Sequence, residues 1–318
     1  MTAVRSAKVS VPLVPDQRAD VAAAMVLHEL LEAIRANFDG TLSGEDPKFL
    51  HQLRISVRRS RTVQRQLSRV FPPLALPGFR TEFRWLQRTT GEARDLDVYV
   101  DEFESMRALA PEPVQGDLDP LQQVLGHWRL AARGDASRAL RSRRTAELLS
   151  DWDAFLADLV ERPEHDRSAG AKPISRIAGR QIRRAYKRVL SLGLAITPAS
   201  GPEEYHELRK KGKELRYLLE LFGVQLFAPS VVDPLVRSLK ALQDVLGRHQ
   251  DREVQIALLR SLADEVSTLR RGSAALMAMG VLVDRLRVDE AAARAEFADR
   301  FAALAAHEQR ELVKLTFH

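Results

Sequence analysis

An all-α fold built from two four-helix units is what this 318-residue sequence predicts, on three observations. Apolar residues recur at spacings of three and four, and no stretch alternates with period two, so no strand is predicted. Composition agrees: abundant Ala and Leu with only 6% aromatics favours helices over sheet. Finally, a stretch near residue 50 returns, reworked, near residue 205.

The elements follow in order. Residues 1–18 read as an N-terminal tail, with Pro12 and Pro15 where a signal peptide needs an apolar block. Asp20 to Asn37 predicts an amphipathic helix closed by Asp39-Gly40. Asp46-Pro47, a cap residue followed by a proline suited to the first helical position, opens a second helix that stops near Phe71. Phe79 to Thr90 makes a third, broken at Gly91, and a fourth is expected from about Asp95 towards Leu109, with Asp95 as its N-cap. Asp119 to Val160 reads as helical with breaks. Residues 162–172 lose the apolar period and form a linker between the halves 19–161 and 173–318.

The second half repeats the first. Ile174 to Leu192 is amphipathic and basic, and Pro202 precedes His206 by four residues, as Pro47 precedes His51. At an offset of 155, Leu53, Arg54, Arg58 and Arg61 match Leu208, Arg209, Lys213 and Arg216. One residue further on, Arg84, Leu86, Gln87, Gly91, Asp95 and Val98 match Lys240, Leu242, Gln243, Gly247, Asp251 and Val254. The slip falls in a loop, where insertions are tolerated. An internal duplication of roughly 150 residues accounts for this pattern. It makes Asp251 the N-cap counterpart of Asp95.

Charge is segregated rather than high. The net value is only +6, yet residues 48–94 hold eleven cations against Glu82 and Glu92. On a helix His51, Arg54, Arg58, Arg61 and Arg65 share one face, a stripe about 21 Å long at 1.5 Å per residue. Arg80, Arg84 and Arg88 add a second stripe, and Arg183 and Lys187 lie on the basic first helix of the second half. Like charges at these spacings repel by a few tenths of a kcal/mol per pair. No acidic residue lies within the run from His51 to Arg65, so a bound anion is the expected counter-charge. Arginine's donor fork suits phosphate oxygens. Without a Gly-rich phosphate loop, a polyanion fits better than a mononucleotide.

Other classes are disfavoured. With no cysteine there is no disulfide framework and no thiolate metal site, which suits a cytoplasmic setting. No histidine motif at metal-ligand spacing occurs, no cofactor motif is present, and no apolar run reaches the ~20 residues that span a membrane. Tyr217 and Phe222 are expected in the core rather than against nucleic-acid bases.

The motif H-x-L-R with Arg or Lys at helical spacing, followed by L-Q-x3-G-x3-D-x2-V, resembles the conserved histidine α-helical domain, CHAD. The likeness covers about residues 19 to 310 and is closer in the second copy. It implies two four-helix bundles in pseudo-two-fold arrangement around a basic central groove or pore that binds inorganic polyphosphate. By position, it implies contacts from His51, Arg54, Arg58, Arg61, Arg84, His206, Arg209, Lys210, Lys213, Arg216 and Lys240. The expected function is non-catalytic polyphosphate binding, stand-alone and associated with polyphosphate granules. Nucleic-acid binding and an accessory role to a polyphosphate-metabolising enzyme are the alternatives.

Overall fold

The computed structural model describes residues 3–72, 74–161, 169–197 and 199–317. Its long helices in the first half are α1 (Ala19–Ala36), α3 (Pro47–Gln66), α4 (Leu76–Thr89), α5 (Gly91–Asp101), α8 (Asp119–Leu140) and α9 (Arg143–Glu161). Short helices α2 (Phe38–Ser43), α6 (Phe103–Arg107) and α7 (Glu112–Gln115) link them. The second half comprises α10 (Ile174–Ala195), α11 (Pro202–Leu218), the short α12 (Val224–Leu226), α13 (Pro229–Ser267), α14 (Gly272–Leu304) and α15 (His307–Thr316). No strand occurs among the described residues, so the all-α prediction holds.

Local signals set the helix boundaries. Asp46 caps α3 by accepting from the Lys48 amide at 2.8 Å, with Pro47 in the first turn. α1 ends earlier than Asp39-Gly40 suggested, because Asn37 donates its side-chain amide to Ala33 O and to Arg5 O. The predicted N-cap role of Asp95 and Asp251 is wrong. Asp95 lies inside α5, which starts at Gly91, and Asp251 lies inside the unbroken α13. A glycine can sit within a helix at a modest cost when packing rewards it, and here Gly247 interrupts nothing. The segment read as a tail is also packed: Ala7, Val9 and Leu13 are buried. Gln52 accepts from the Ala7 amide and Arg59 donates to Ala7 O. Of the linker, residues 162–168 lie outside the described residues. The Gly170 and Lys172 carbonyls accept from the first amides of α1.

Two apolar cores result, and both draw on both halves. One joins α1, α3, α4 and α9 to α10, α11 and the first part of α13. Within it Trp152 is fully buried and meets Phe79 and Phe83 edge-on at 4.7 and 5.3 Å. The other joins α5, α6 and α8 to the last part of α13 and the first part of α14. On α13 the core residues stop at Leu246 and resume at Ile256. Polar side chains collect at this waist between the cores, where Gly247, His249, Asp251 and Gln255 fall on α13.

The close approach of α10 to α14 gives a direct stability test. A Cβ at Gly193 would fall 1.9 Å from the Phe301 ring, whereas one at Gly280 would meet nothing. Gly280→Ala should therefore stabilise the chain by about 0.5–1 kcal/mol, the helix-propensity gain. Gly193→Ala should destabilise it by about 1–3 kcal/mol through overpacking. Urea unfolding distinguishes the two, and equal effects would contradict the packing described.

Candidate functional site

The duplicated motif acquires a physical meaning at the waist. Arg54 is only 8% exposed, and its Nη1 donates to Gln87 O at 2.7 Å and to the Thr90 hydroxyl at 2.8 Å. It thereby ties α3 to the α4–α5 junction. Its guanidinium lies over Gly91, 3.8 Å from where a Cβ would stand. Arg209 repeats this over Gly247 at 3.6 Å, and donates to Asp251 at 3.4 Å. The arginine of H-x-L-R thus lies across the glycine of L-Q-x3-G in each half, and the aspartate one turn further on faces it. Arg54 was expected among the cations lining the central groove, yet most of it is buried. Burial pushes its pKa down to about 10, still far above neutrality, so it stays a cation that fixes the junction.

α3 and α11 pack against each other and bring the two stripes together. Arg58 lies close enough to Arg209 and Lys213 to depress both. Burial first, then Arg209 and Arg58, push the Lys213 ammonium down to about 7. The Arg61 guanidinium is lowered by burial and by Arg65, Arg84 and Arg58. Among the described residues Asp95 acts on Arg54, and Asp251 acts on Arg209 and Lys213. Asp95 and Asp251 sense each other across the halves, and burial raises both despite the arginines beside them.

The expected absence of counter-charge holds for part of the stripe. Sequence reading considered only the run itself, but α11 supplies Glu214 to Arg65 at 2.9 Å. Glu220 reaches Arg59, and Arg216 at 3.5 Å. Lys210 is paired with Glu207 at 2.7 Å on the exposed face of α11. Among the described residues the Arg58, Arg61 and Lys213 side chains make no ion pair or hydrogen bond. Beside Arg61 a hollow of about 150 Å³ is lined by Arg65, Arg80, Arg84 and Gln64. The buried Gln64 amide has no partner at either end. Arg88, Lys187 and Lys240 are exposed and Arg183 is half-buried, with no interaction linking them to this cluster among the described residues.

The two histidines differ. Burial, then Arg94, Arg58 and Arg54, push His51 down to about 4. In the second half the residue matching Arg94 is Gln250, whose side-chain oxygen is hydrogen-bonded to His206 Nδ1. Arg80 belongs to the second stripe that the sequence predicts, whereas Arg94 and Gln64 were missed by sequence reading. Arg94 alone carried a signal, since it sits three residues beyond the matched Gly91. Tyr217 and Phe222 are buried, as expected, and Arg59 and Arg216 cover the Tyr217 ring at 5.5 and 5.7 Å.

Comparison with known proteins identifies the fold and the family. The crystal structure of the CHAD domain from the plant Ricinus communis superposes with a TM-score of 0.80 at 25% identity, covering 96% of this chain and 97% of that one. PptA from Streptomyces chartreusis shares the fold, with a TM-score of 0.67 at 19% identity over 90% of this chain and 99% of the other. Uncharacterized proteins from two strains of Mycobacterium tuberculosis are 29% identical over 210 residues, 64% of this chain but 38% of theirs. The chain thus spans well under half the length of these relatives. A sequence model of the CHAD domain matches residues 25–260. With that match over most of its length, the chain belongs to the CHAD domain family.

Proposed function

We propose that the chain binds inorganic polyphosphate without hydrolysing it, through the cations that converge between α3 and α11, and that this binding places it at polyphosphate granules. Its family is associated with polyphosphate binding and metabolism. The observation that carries the reading is the meeting of Arg58, Arg61 and Lys213, from both halves, with no ion pair of their own among the described residues. A chain of phosphates supplies closely spaced negative charge along such a path, and charge-assisted hydrogen bonds to it are about twice as strong as neutral ones. Arg54 and Arg209 hold the path in place from beneath. A nucleic acid would offer the same charge, but stacking platforms are what single-strand binders use. The Tyr217 ring is already covered by two arginines.

No helix among the described residues is long and apolar enough to cross a membrane. Asp95 and Asp251 are the carboxylates that could approach a bound phosphate chain. Burial raises the pKa of both against the pull of the arginines beside them. In this reading they tune binding and do not carry out a reaction.

Labelled long-chain polyphosphate tests both parts. Single-stranded RNA or duplex DNA at equal phosphate concentration should fail to displace it, and incubation with Mg²⁺ and protein should release no phosphate. Displacement would move the reading to nucleic acid, and protein-dependent release would make the chain an enzyme. Affinity should fall linearly with log salt. Arg58→Ala with Lys213→Ala should flatten that slope by roughly 1.4, on the single-strand value of about 0.7 per contact. An unchanged slope would place the ligand elsewhere.

The low pKa of Lys213 fixes the sign of a pH effect. In the free chain it is half neutral near pH 7, and a bound polyanion favours its charged form, so binding takes up a proton. Affinity should be flat in this respect below pH 7 and fall as pH rises from 7 to 9, by up to about tenfold per unit. Lys213→Arg keeps the charge throughout and should remove that fall. If wild type and Lys213→Arg follow the same curve, Lys213 does not face the ligand.

A further inference from the structure

A second concentration of unpaired cations lies outside the α3–α11 cluster. Over its 22 residues α10 contains no carboxylate, while Arg176, Arg180, Arg184 and Arg188 occupy every fourth position and are exposed. That is a stripe about 18 Å long, with the like-charge penalty that every i,i+4 pair carries. Two further cations face it. Arg69 stands in the turn after α3 and Lys172 in the turn before α10. With Arg180 and Arg184 they ring a hollow of about 90 Å³, whose floor is the buried Leu67, Val70 and Ile177.

None of these four side chains makes an ion pair or hydrogen bond with a described residue. Asp20, which packs on Gly170 nearby, is fully buried and is held by Arg18 at 2.8 Å, so it does not neutralise them. The hollow has the volume of about three waters at ~30 Å³ each. A phosphoryl group fits a hollow of this size. An apolar floor under a ring of cations favours an anion that presents oxygens to the rim on all sides, which a tetrahedral phosphoryl group does.

We propose that this hollow is a separate anion site that takes one phosphoryl group, from a free short phosphate anion or from a segment of a longer chain. The site shares no residue with the α3–α11 cluster and does not depend on the polyphosphate reading. Arg180 and Arg184 supply paired donors from one helix face, Arg69 closes the opposite side, and Lys172 adds a point charge.

Calorimetric titration of the full chain with pyrophosphate tests it. The background is the Arg58→Ala, Lys213→Ala variant, which silences the other cluster. Saturable binding with one pyrophosphate per chain is expected there. It should weaken at least tenfold on adding Arg69→Ala and Arg184→Ala, and also, independently, on adding Lys172→Ala and Arg180→Ala, with helical content unchanged by circular dichroism. A parallel titration with long polyphosphate identifies the source: hollow-dependent binding of the polymer assigns the site to a chain segment, and dependence for pyrophosphate alone assigns it to a free short anion. No saturable pyrophosphate binding in the background variant, or binding that both hollow pairs leave intact, overturns the proposal.

Discussion

Packing α3 against α11 is the constraint on which the rest depends, because it forces like charges together. Arg58 meets Arg209 and Lys213, and all three lie at a partly buried surface where repulsion is screened less than in bulk water. The same interface carries its own compensation. Glu214 takes Arg65 and the Gln66 amide, and Glu220 takes Arg59 and Arg216. These pairs flank the cation cluster and hold the two helices in register while leaving Arg58, Arg61 and Lys213 unneutralised. A fold that simply minimised its own charge repulsion would have placed a carboxylate between them.

Beneath that surface the framework is made by guanidinium groups spanning glycines. Arg54 over Gly91 and Arg209 over Gly247 lock each half's first basic helix onto the helix that follows. The α4–α5 break at Thr90 and the straight run of α13 are two answers to one packing problem. In the first half the Thr90 hydroxyl donates to Leu86 O and accepts from Arg54, and the chain turns there. The matching residue in the second half, Leu246, is buried in the apolar core and α13 continues.

Much of this was legible in the residues. Period 3.6 without alternation defined an all-helical chain, Asp46-Pro47 defined the start of α3, and the offsets of 155 and 156 paired the motif residues. What could not be read was which charges meet. Glu214 and Glu220 lie about 150 residues beyond the arginines they neutralise, so a stripe judged by its own helix looked emptier of counter-charge than it is. Asp95 and Asp251 looked like caps because glycine usually ends a helix, whereas here each glycine makes room for an arginine. His51 lies beside Arg94, while His206 is hydrogen-bonded to Gln250 at the matching position, a contrast visible only once these neighbours are in contact.

The central claim is that one ligand path runs between the two halves at the waist, lined by Arg58 and Arg61 on α3 and by Lys213 on α11. A crystal structure of the chain bound to polyphosphate of defined length tests it most directly. Phosphates should occupy the surface between α3 and α11, with oxygens within about 3 Å of the Arg58 guanidinium and the Lys213 ammonium. Ordered phosphates confined to another surface, with Arg58 and Lys213 left without contact, would contradict the account.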